Sequence, residues 1–374
     1  MNRAFWETER HEEFRARVRE ALRDSVLPHA DRWEEQGHLD PAVWKTLAAQ
    51  GLLDRGHRGE AFLDSAILLE ELGRTGYAGV RASVGVHAYM ATSYLDLFGT
   101  PEQKAAYLEP ARRGERLAAL AITEAEAGSD LSRLTTRARP RDGGGLRVDG
   151  EKLYVANGSQ ASFFVALVRT RDETGARRGL TGASLVLIDA DTPGVHRTAQ
   201  RMLGWRSADV SKVVLEDVAV PEDRVLGRRD HALLHIVQGL DFERLAAGLL
   251  AVGGVTHCLE LLDAHVRRRR LKDTPLYGHQ AVRHAVADLT ADHELVARYG
   301  RHAAWLHSRG ELDSRTATVL KLKATELAVR AAHVCLQFHG AQGCLDDSTA
   351  ARLYRDASAG TIAAGASELL RDLI

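Results

Sequence analysis

Phe14, Val18, Leu22 and Val26 recur every fourth residue among charged neighbours near the start of the chain, the apolar stripe of an amphipathic helix. Helical patterning continues to about Leu117. Between 119 and 227 the texture changes: the runs 163–168, 183–188 and 213–215 are short, apolar or β-branched, and separated by Gly, Pro and Asp turns, which predicts a β domain. From Asp230 onward the helical period returns in three stretches, roughly 232–270, 279–308 and 314–337, each longer than an average globular helix. With a shorter helical pattern after Ser348 they predict a four-helix bundle. The expected architecture is α+β and multidomain, with a helical domain at 1–119, a β domain at 120–228 and a helical bundle at 229–374. No repeat or low-complexity linker interrupts the order, so one integrated subunit is expected.

Composition narrows the class. At 374 residues, 45% hydrophobic and net charge −1, the chain can bury a large core and exerts no global pull on nucleic acid. Its first ten residues are polar and charged, with no run long enough for a signal peptide or membrane span, so a cytoplasmic protein with no membrane partner is expected. Cys258, Cys335 and Cys344 are odd in number and lack a CxxC spacing. Neither a disulfide framework nor a metal site is expected, and all three are read as reduced packing residues.

The candidate chemistry lies in ordered segments that are individually ordinary. Residues 121–130, Ala-Ile-Thr-Glu-Ala-Glu-Ala-Gly-Ser-Asp, read as a turn entering a strand, with backbone N–H groups suited to an anion. Residues 152–158, Lys-Leu-Tyr-Val-Ala-Asn-Gly, read as a strand and an Asn-Gly turn. Leu-Gly-Trp-Arg-Ser-Ala-Asp at 203–209, Glu-Asp-Val-Ala-Val-Pro at 216–221 and Leu226-Gly227 are turns and strands. Residues 336–343, Leu-Gln-Phe-His-Gly-Ala-Gln-Gly, read as a helix ending at a glycine cap, and the four arginines 267–270 as a solvated helix end. Taken in order, from about Leu22 to Leu373, these segments resemble the acyl-CoA dehydrogenase family.

The resemblance implies the fold of that family: an N-terminal helical domain, a middle β-barrel-like domain and a C-terminal four-helix bundle. It also implies FAD, an acyl or aminoacyl thioester of CoA or of a carrier protein as substrate, and a homodimer or homotetramer, with an electron-transfer flavoprotein among the candidate acceptors. Leu120, Ile122, Thr123, Gly128 and Ser129 would line the flavin, Thr123 bonding the isoalloxazine and Ser129 also reaching the phosphate or pantetheine end of the ligand. Tyr154 would be an aromatic plate beside the flavin, while Ala156 replaces the Thr whose hydroxyl bonds flavin N5. Arg269, His279, Gln280, Gln337, Gly340 and Ala341 would meet FAD belonging to a neighbouring subunit, although Ala341 replaces a glycine and 271–273 depart from the family's Gln-Phe-Gly. Ala366 and Glu368 complete the implied cofactor contacts.

Oxidation of an acyl thioester at its α and β carbons needs a base for the α proton while a hydride leaves the β carbon, and a desolvated carboxylate suits that task. Ala364 stands where most members of the family carry the base glutamate. A minority, including the isovaleryl and long-chain branches, carries the base on an earlier helix just before a basic residue. Asp241-Phe242-Glu243-Arg244 matches that pattern, against the plainer reading of a surface helix with weak ion pairs. Glu243 is therefore the candidate base, with Asp241, Phe242 and Arg244 beside the substrate; Glu368, four residues past the usual site, is a weaker substitute. Charge developing on the thioester carbonyl needs donors, and the backbone N–H of Ala364 survives the side-chain replacement. The departures at Ala156, 271–273 and Ala364 favour a specialised biosynthetic enzyme over generic fatty-acid oxidation. Two other readings are a flavin oxidase or monooxygenase on this fold, marked by oxygen consumption, and a non-catalytic scaffold without FAD, marked by indifference to Glu243→Gln.

Overall fold

The computed structural model describes residues 4–54, 56–171 and 181–374. Helices α1 (Glu9–Ser25), α2 (Leu27–Gln36), α3 (Ala42–Ala49), α4 (Ala61–Arg74), α5 (Ala78–Gly85) and α6 (Thr92–Phe98) come first, α5 and α6 being joined by a π-helical segment, Val86–Ala91. Two short turns, α7 (Pro101–Gln103) and α8 (Glu109–Arg112), flank a second π-helical segment, Lys104–Leu108. Phe14, Val18, Leu22 and Val26 are all buried, so the four-residue stripe is a core face.

The middle of the chain forms β1 (Ala118–Ala121), β2 (Arg137–Pro140), β3 (Leu146–Val155), β4 (Phe163–Arg169), β5 (Ala183–Asp189), β6 (Val195–Ala199), β7 (Ser211–Val220) and β8 (Val225–Leu226). These pair as one sheet in the order β6-β7-β3-β2-β4-β5-β8, with β1 parallel to β4 off that path. Both faces of β4 are covered. Phe163, Val165 and Leu167 pack with Tyr94, Tyr107 and Ile236 of the helical part, and Phe164, Ala166 and Val168 pack with Val148, Val155 and Val213 of the sheet. That is why its sequence is a continuous apolar run, not an alternating one.

The carboxyl half is α9 (Ala232–Arg268), a small hairpin of β9 (Arg270–Leu271) and β10 (Thr274–Pro275), α10 (Gln280–Ser308), α11 (Ser314–His339), α12 (Thr349–Gly360) and α13 (Ser367–Asp372). Helix α9 is the axis of the molecule, packing on α4, α10 and α11. By length and composition it is apolar enough to cross a bilayer, but 72% of its most apolar window is buried inside the protein, so its character is that of a helix surrounded by other elements. The crossing with α4 is close: a Cβ on Gly253 would lie 1.9 Å from the Glu70 carbonyl oxygen. Buried Arg15 of α1 ties the same region together, bonding Glu7 at 2.5 Å, Glu71 at 2.9 Å and Glu70 at 3.1 Å, while Arg301 of α10 also reaches Glu70 at 3.2 Å. Cys258 and Cys335 are buried free thiols, but Cys344 is exposed, in the turn after α11, and is not the packing residue its sequence context predicts.

Candidate active site

Glu243 sits a third of the way along α9 with only 6% of its surface exposed, so the weak surface ion pair is not what the structure contains. One turn earlier is Gly239, where a Cβ would come within 2.2 Å of the Tyr94 hydroxyl oxygen. The bare backbone there admits the fully buried Tyr94, whose Oη donates to Glu243 Oε1 at 2.8 Å. Burial pushes the Glu243 carboxyl up to about 7, against the opposing pull of the Tyr94 hydrogen bond and the Arg244 charge. A carboxyl so placed is partly ionised at neutral pH, the condition a general base requires. Arg244 points its Nη1 at Asp241 (3.1 Å), Ser314 (3.4 Å) and Thr318 (3.5 Å), so α9 and α11 are tied beside the carboxylate. Phe242 lies in the core, edge-on to Phe62 and His57 at 5.6 and 5.8 Å between ring centroids.

Three residues beyond Thr318, buried Lys321 donates from Nζ to the Gly365 carbonyl oxygen at 2.5 Å. Burial and the nearby Arg244 charge bring its ammonium down to about 8. The bond anchors the turn that holds Ala364, whose φ of +55° is a left-handed conformation that costs an alanine on the order of 1 kcal/mol. Ala366 is the N-cap of α13, Glu368 lies in its first turn, and the buried Ser367 hydroxyl between them has no hydrogen-bond partner among the described residues.

The segment 122–130 is held from beneath. Lys152 of β3, with none of its side chain exposed, donates to Glu124 at 2.7 Å and to the Ile122 carbonyl at 3.2 Å. Glu124 also accepts from Thr135 N and Oγ1, both at 2.6 Å, and from Thr136 N at 3.0 Å. Burial works to raise the Glu124 carboxyl, and the ammonium and these donors outweigh it, leaving it at about 2. Above this anchor the Thr123 hydroxyl and the amides of Gly128 and Ser129 make no hydrogen bond among the described residues, and a Cβ on Gly128 would meet nothing within 4 Å. Leu120 and Ile122 are half-buried against the helical cluster. At the end of β3, Tyr154 is 60% exposed with φ +57°, half-buried Ala156 follows, and Asn157 (φ +62°) donates Nδ2 to the Ser83 carbonyl at 2.9 Å. Two left-handed residues within four positions put local strain where the ring of Tyr154 is presented.

Arg269, His279, Gln280, Gln337, Gly340 and Ala341 gather elsewhere. His265 on the last turn of α9 bonds the Phe338 carbonyl at 3.1 Å and stacks on His339 at 3.8 Å, joining the ends of α9 and α11. Arg267 is engaged with Asp263 and the ring of Tyr277, Arg270 with the Asp273 carbonyl, and Arg269 is exposed at the C-cap. His279 caps α10 with its buried Nε2 unpartnered among the described residues, and Gly340 ends α11 at φ +64°. From Glu243 to Arg269 is 26 residues of one helix, roughly 39 Å at 1.5 Å per residue. The structure therefore brings these residues together with one another and not with Glu243. Sequence reasoning passed over Tyr94, Lys321 and the Lys152–Glu124 pair; the last lay inside motifs already singled out, whereas nothing in the sequence links Tyr94 to a residue 149 positions away.

Comparison with known proteins identifies the family to which this fold belongs. The acyl-CoA dehydrogenase N-terminal, middle and C-terminal domain models match residues 8–115, 119–218 and 234–374. Among curated proteins, the mitochondrial long-chain specific acyl-CoA dehydrogenase of Mus musculus is 29% identical over 371 residues, covering 97% of this chain and 85% of that protein. Among solved structures, an acyl-CoA dehydrogenase from Geobacillus kaustophilus superposes with a TM-score of 0.94 at 28% identity, covering 100% of this chain and 98% of that one. The prolyl acyl carrier protein oxidase AnaB superposes at 0.90 with 26% identity and 98% coverage of both chains. Three domain models in unbroken order over most of the length establish that the chain belongs to the acyl-CoA dehydrogenase family, flavin oxidoreductases that act on CH–CH bonds.

Proposed function

We propose that this protein is an FAD-dependent α,β-dehydrogenase of an acyl or aminoacyl thioester, with Glu243 as the base. The observation that carries this reading is the buried Glu243 carboxyl, one oxygen held by Tyr94 and the other without a hydrogen bond among the described residues. Oε2 is thus free to take the α proton. The donor for the thioester carbonyl is the backbone N–H of Ala364, held by the turn that Lys321 anchors. Asp241 and Arg244 border the substrate beside the base.

The residues present fit FAD: the partnerless Thr123 hydroxyl, the open Gly128 and Ser129 amides and the exposed Tyr154 ring suit a flavin and its phosphates. Leu120, Ile122, Ala156, Ala366 and Glu368 complete that set. When bound, FAD supplies the two-electron acceptor for the β hydride. The second cluster, Arg269 with His279, Gln280, Gln337, Gly340 and Ala341, lies too far along α9 for the same site and is read as receiving the cofactor of a neighbouring subunit, in a homodimer or homotetramer. The unpartnered His279 Nε2 supports this assignment.

The test is anaerobic mixing of the flavin-loaded enzyme with a panel of acyl-CoA and carrier-protein thioesters. Bleaching of the flavin band by one thioester, lost in Glu243→Gln with FAD retained, is the expected result; bleaching that survives the substitution removes Glu243 from the role. Ala156, in place of a hydroxyl donor near flavin N5, favours a second reading in which oxygen and not an electron-transfer flavoprotein reoxidises the enzyme, and the carrier-protein oxidase among its structural relatives makes a carrier-bound substrate the first to try. Oxygen uptake during turnover separates the two.

A further inference from the structure

Tyr94 has no place in the motifs that mark this chain, yet its contact with Glu243 is built from three directions. On the side of α9, Gly239 leaves the only kind of surface that lets a phenol approach, since any Cβ would meet the Tyr94 oxygen at 2.2 Å, its Cζ at 2.3 Å and Cε1 at 2.5 Å. On the side of α6, the helix is preceded by the π-helical segment Val86–Ala91, a wider turn that resets which residues of the next helix face α9. That segment is stabilised locally, with Thr92 Oγ1 donating to the His87 carbonyl at 2.9 Å and Ser93 Oγ to the Met90 carbonyl at 2.8 Å. Around the ring, Leu95, Tyr107, Phe163 and Ile236 form a dry cluster, so Tyr94 Oη is removed from water and its bond to the carboxylate is not diluted by solvent.

We infer that Tyr94 is a positioning residue for the base: it fixes the rotamer of Glu243 through Oε1, leaves Oε2 toward the substrate and favours the ionised carboxylate. The inference rests on the reading of Glu243 as base. A donor to a carboxylate favours the charged form, so loss of the hydroxyl raises the pH at which Glu243 gives up its proton. The titratable groups facing Glu243 are Tyr94 from α6 and Arg244 from its own helix. Beyond Arg244 stand Asp241 on α9, which pairs with it, and Lys321 on α11, which is directed to Gly365. Arg244, Asp241 and Lys321 make no hydrogen bond to the phenol, so its removal leaves their partners in place. Burial drives the Tyr94 phenol well above its ordinary value, so it remains a donor across the working range.

The experiment compares wild type, Tyr94→Phe, Gly239→Ala and Glu243→Gln as flavin-loaded enzymes, measuring the rate of anaerobic flavin reduction by the active thioester against pH. Infrared spectra over the same pH range follow the protonated-carboxyl band, assigned to Glu243 by its absence in Glu243→Gln. A hydrogen bond to a charged group is worth about one to two pH units. Tyr94→Phe is therefore expected to move the midpoint of both curves upward by that amount, making reduction about tenfold or more slower below the wild-type midpoint and recovering the rate in alkali. Gly239→Ala, which displaces the phenol without removing it, is expected to move both curves the same way. Both midpoints unmoved in Tyr94→Phe, or a rate lowered equally at every pH, overturns the inference while leaving Glu243 as base. Flavin reduction that persists in Glu243→Gln overturns the base itself, and the infrared midpoint of Tyr94→Phe then still decides whether the tyrosine controls that carboxyl.

Discussion

A buried carboxyl with a raised proton affinity is an asset to chemistry and a burden to the fold, and Glu243 is both. Its ordinary value is 4.5 and its value in the folded protein is about 7, so between those limits the folded state holds the proton more tightly than the unfolded chain does. Stability falls as pH climbs through that window and levels off above it. Glu243→Gln, uncharged at every pH, is accordingly expected to gain nothing over wild type below pH 4.5 and about 3 kcal/mol above pH 7, which urea unfolding at a series of pH values measures. If Glu243 is the base, the rate of flavin reduction in wild type is expected to run the opposite way, rising with pH through about 7 as the carboxylate forms. Ala364 carries the complementary lesson. Its side chain offers no proton acceptor, yet its backbone remains in the left-handed conformation, and glycine, which adopts that conformation without strain, is the substitution expected to leave flavin reduction least changed there. Stopped-flow rates of Ala364→Gly against a bulkier variant such as Ala364→Val check it; Val, β-branched at positive φ, is expected to lower the rate and the melting temperature together.

At the scale of elements, charge is buried where two pieces of structure must keep one register. Lys152 and Glu124 lock the start of the 122–130 segment to β3, and Arg15 locks α1 to α4. Lys152→Met strands the Glu124 carboxylate in a dry site and is expected to cost about 3–5 kcal/mol in chemical denaturation, with weaker FAD retention because the segment above it loosens. Lys152 was legible as part of a strand, in phase with the inward Leu146 and Val148, but its burial was not, since a lysine at an inward position needs a partner and Glu124 lies 28 positions earlier in the chain. The helices were legible for simple reasons: a 3.6-residue period repeats along α1, α10 and α11, and the helical stretch of α9 is far longer than any strand. Of the middle segment, β4, β5 and part of β7 were legible as apolar runs bounded by turns, whereas β2 (Arg-Ala-Arg-Pro) and β6 (Val-His-Arg-Thr-Ala) are polar and carry no such run. Tyr94 was not, because its partner is distant in the chain and its direction is set by a π-helical turn that no residue pattern announces.

For the whole molecule, the arrangement of the two residue clusters decides what one chain can do by itself. If Arg269 serves the cofactor of a neighbour, Arg269→Ala is expected to lower FAD affinity about tenfold or more without disturbing Glu243, and to release flavin on dilution at protein concentrations where wild type retains it. Flavin fluorescence of the filtrate after stepwise dilution, beside sedimentation of the same samples, reads both parts. Motif order made the family legible from sequence; that Glu243 and Arg269 stand about two thirds of one helix apart was visible only after folding. Helix α9 consequently acts as a ruler. Each residue inserted between Glu243 and Arg269 would advance the far end by about 1.5 Å and rotate it by about 100°, so that even a single insertion would swing the arginine out of line with whatever it grips. On the proposed roles of these two residues, the span from Glu243 to Arg269 is a dimension that drift cannot change one residue at a time.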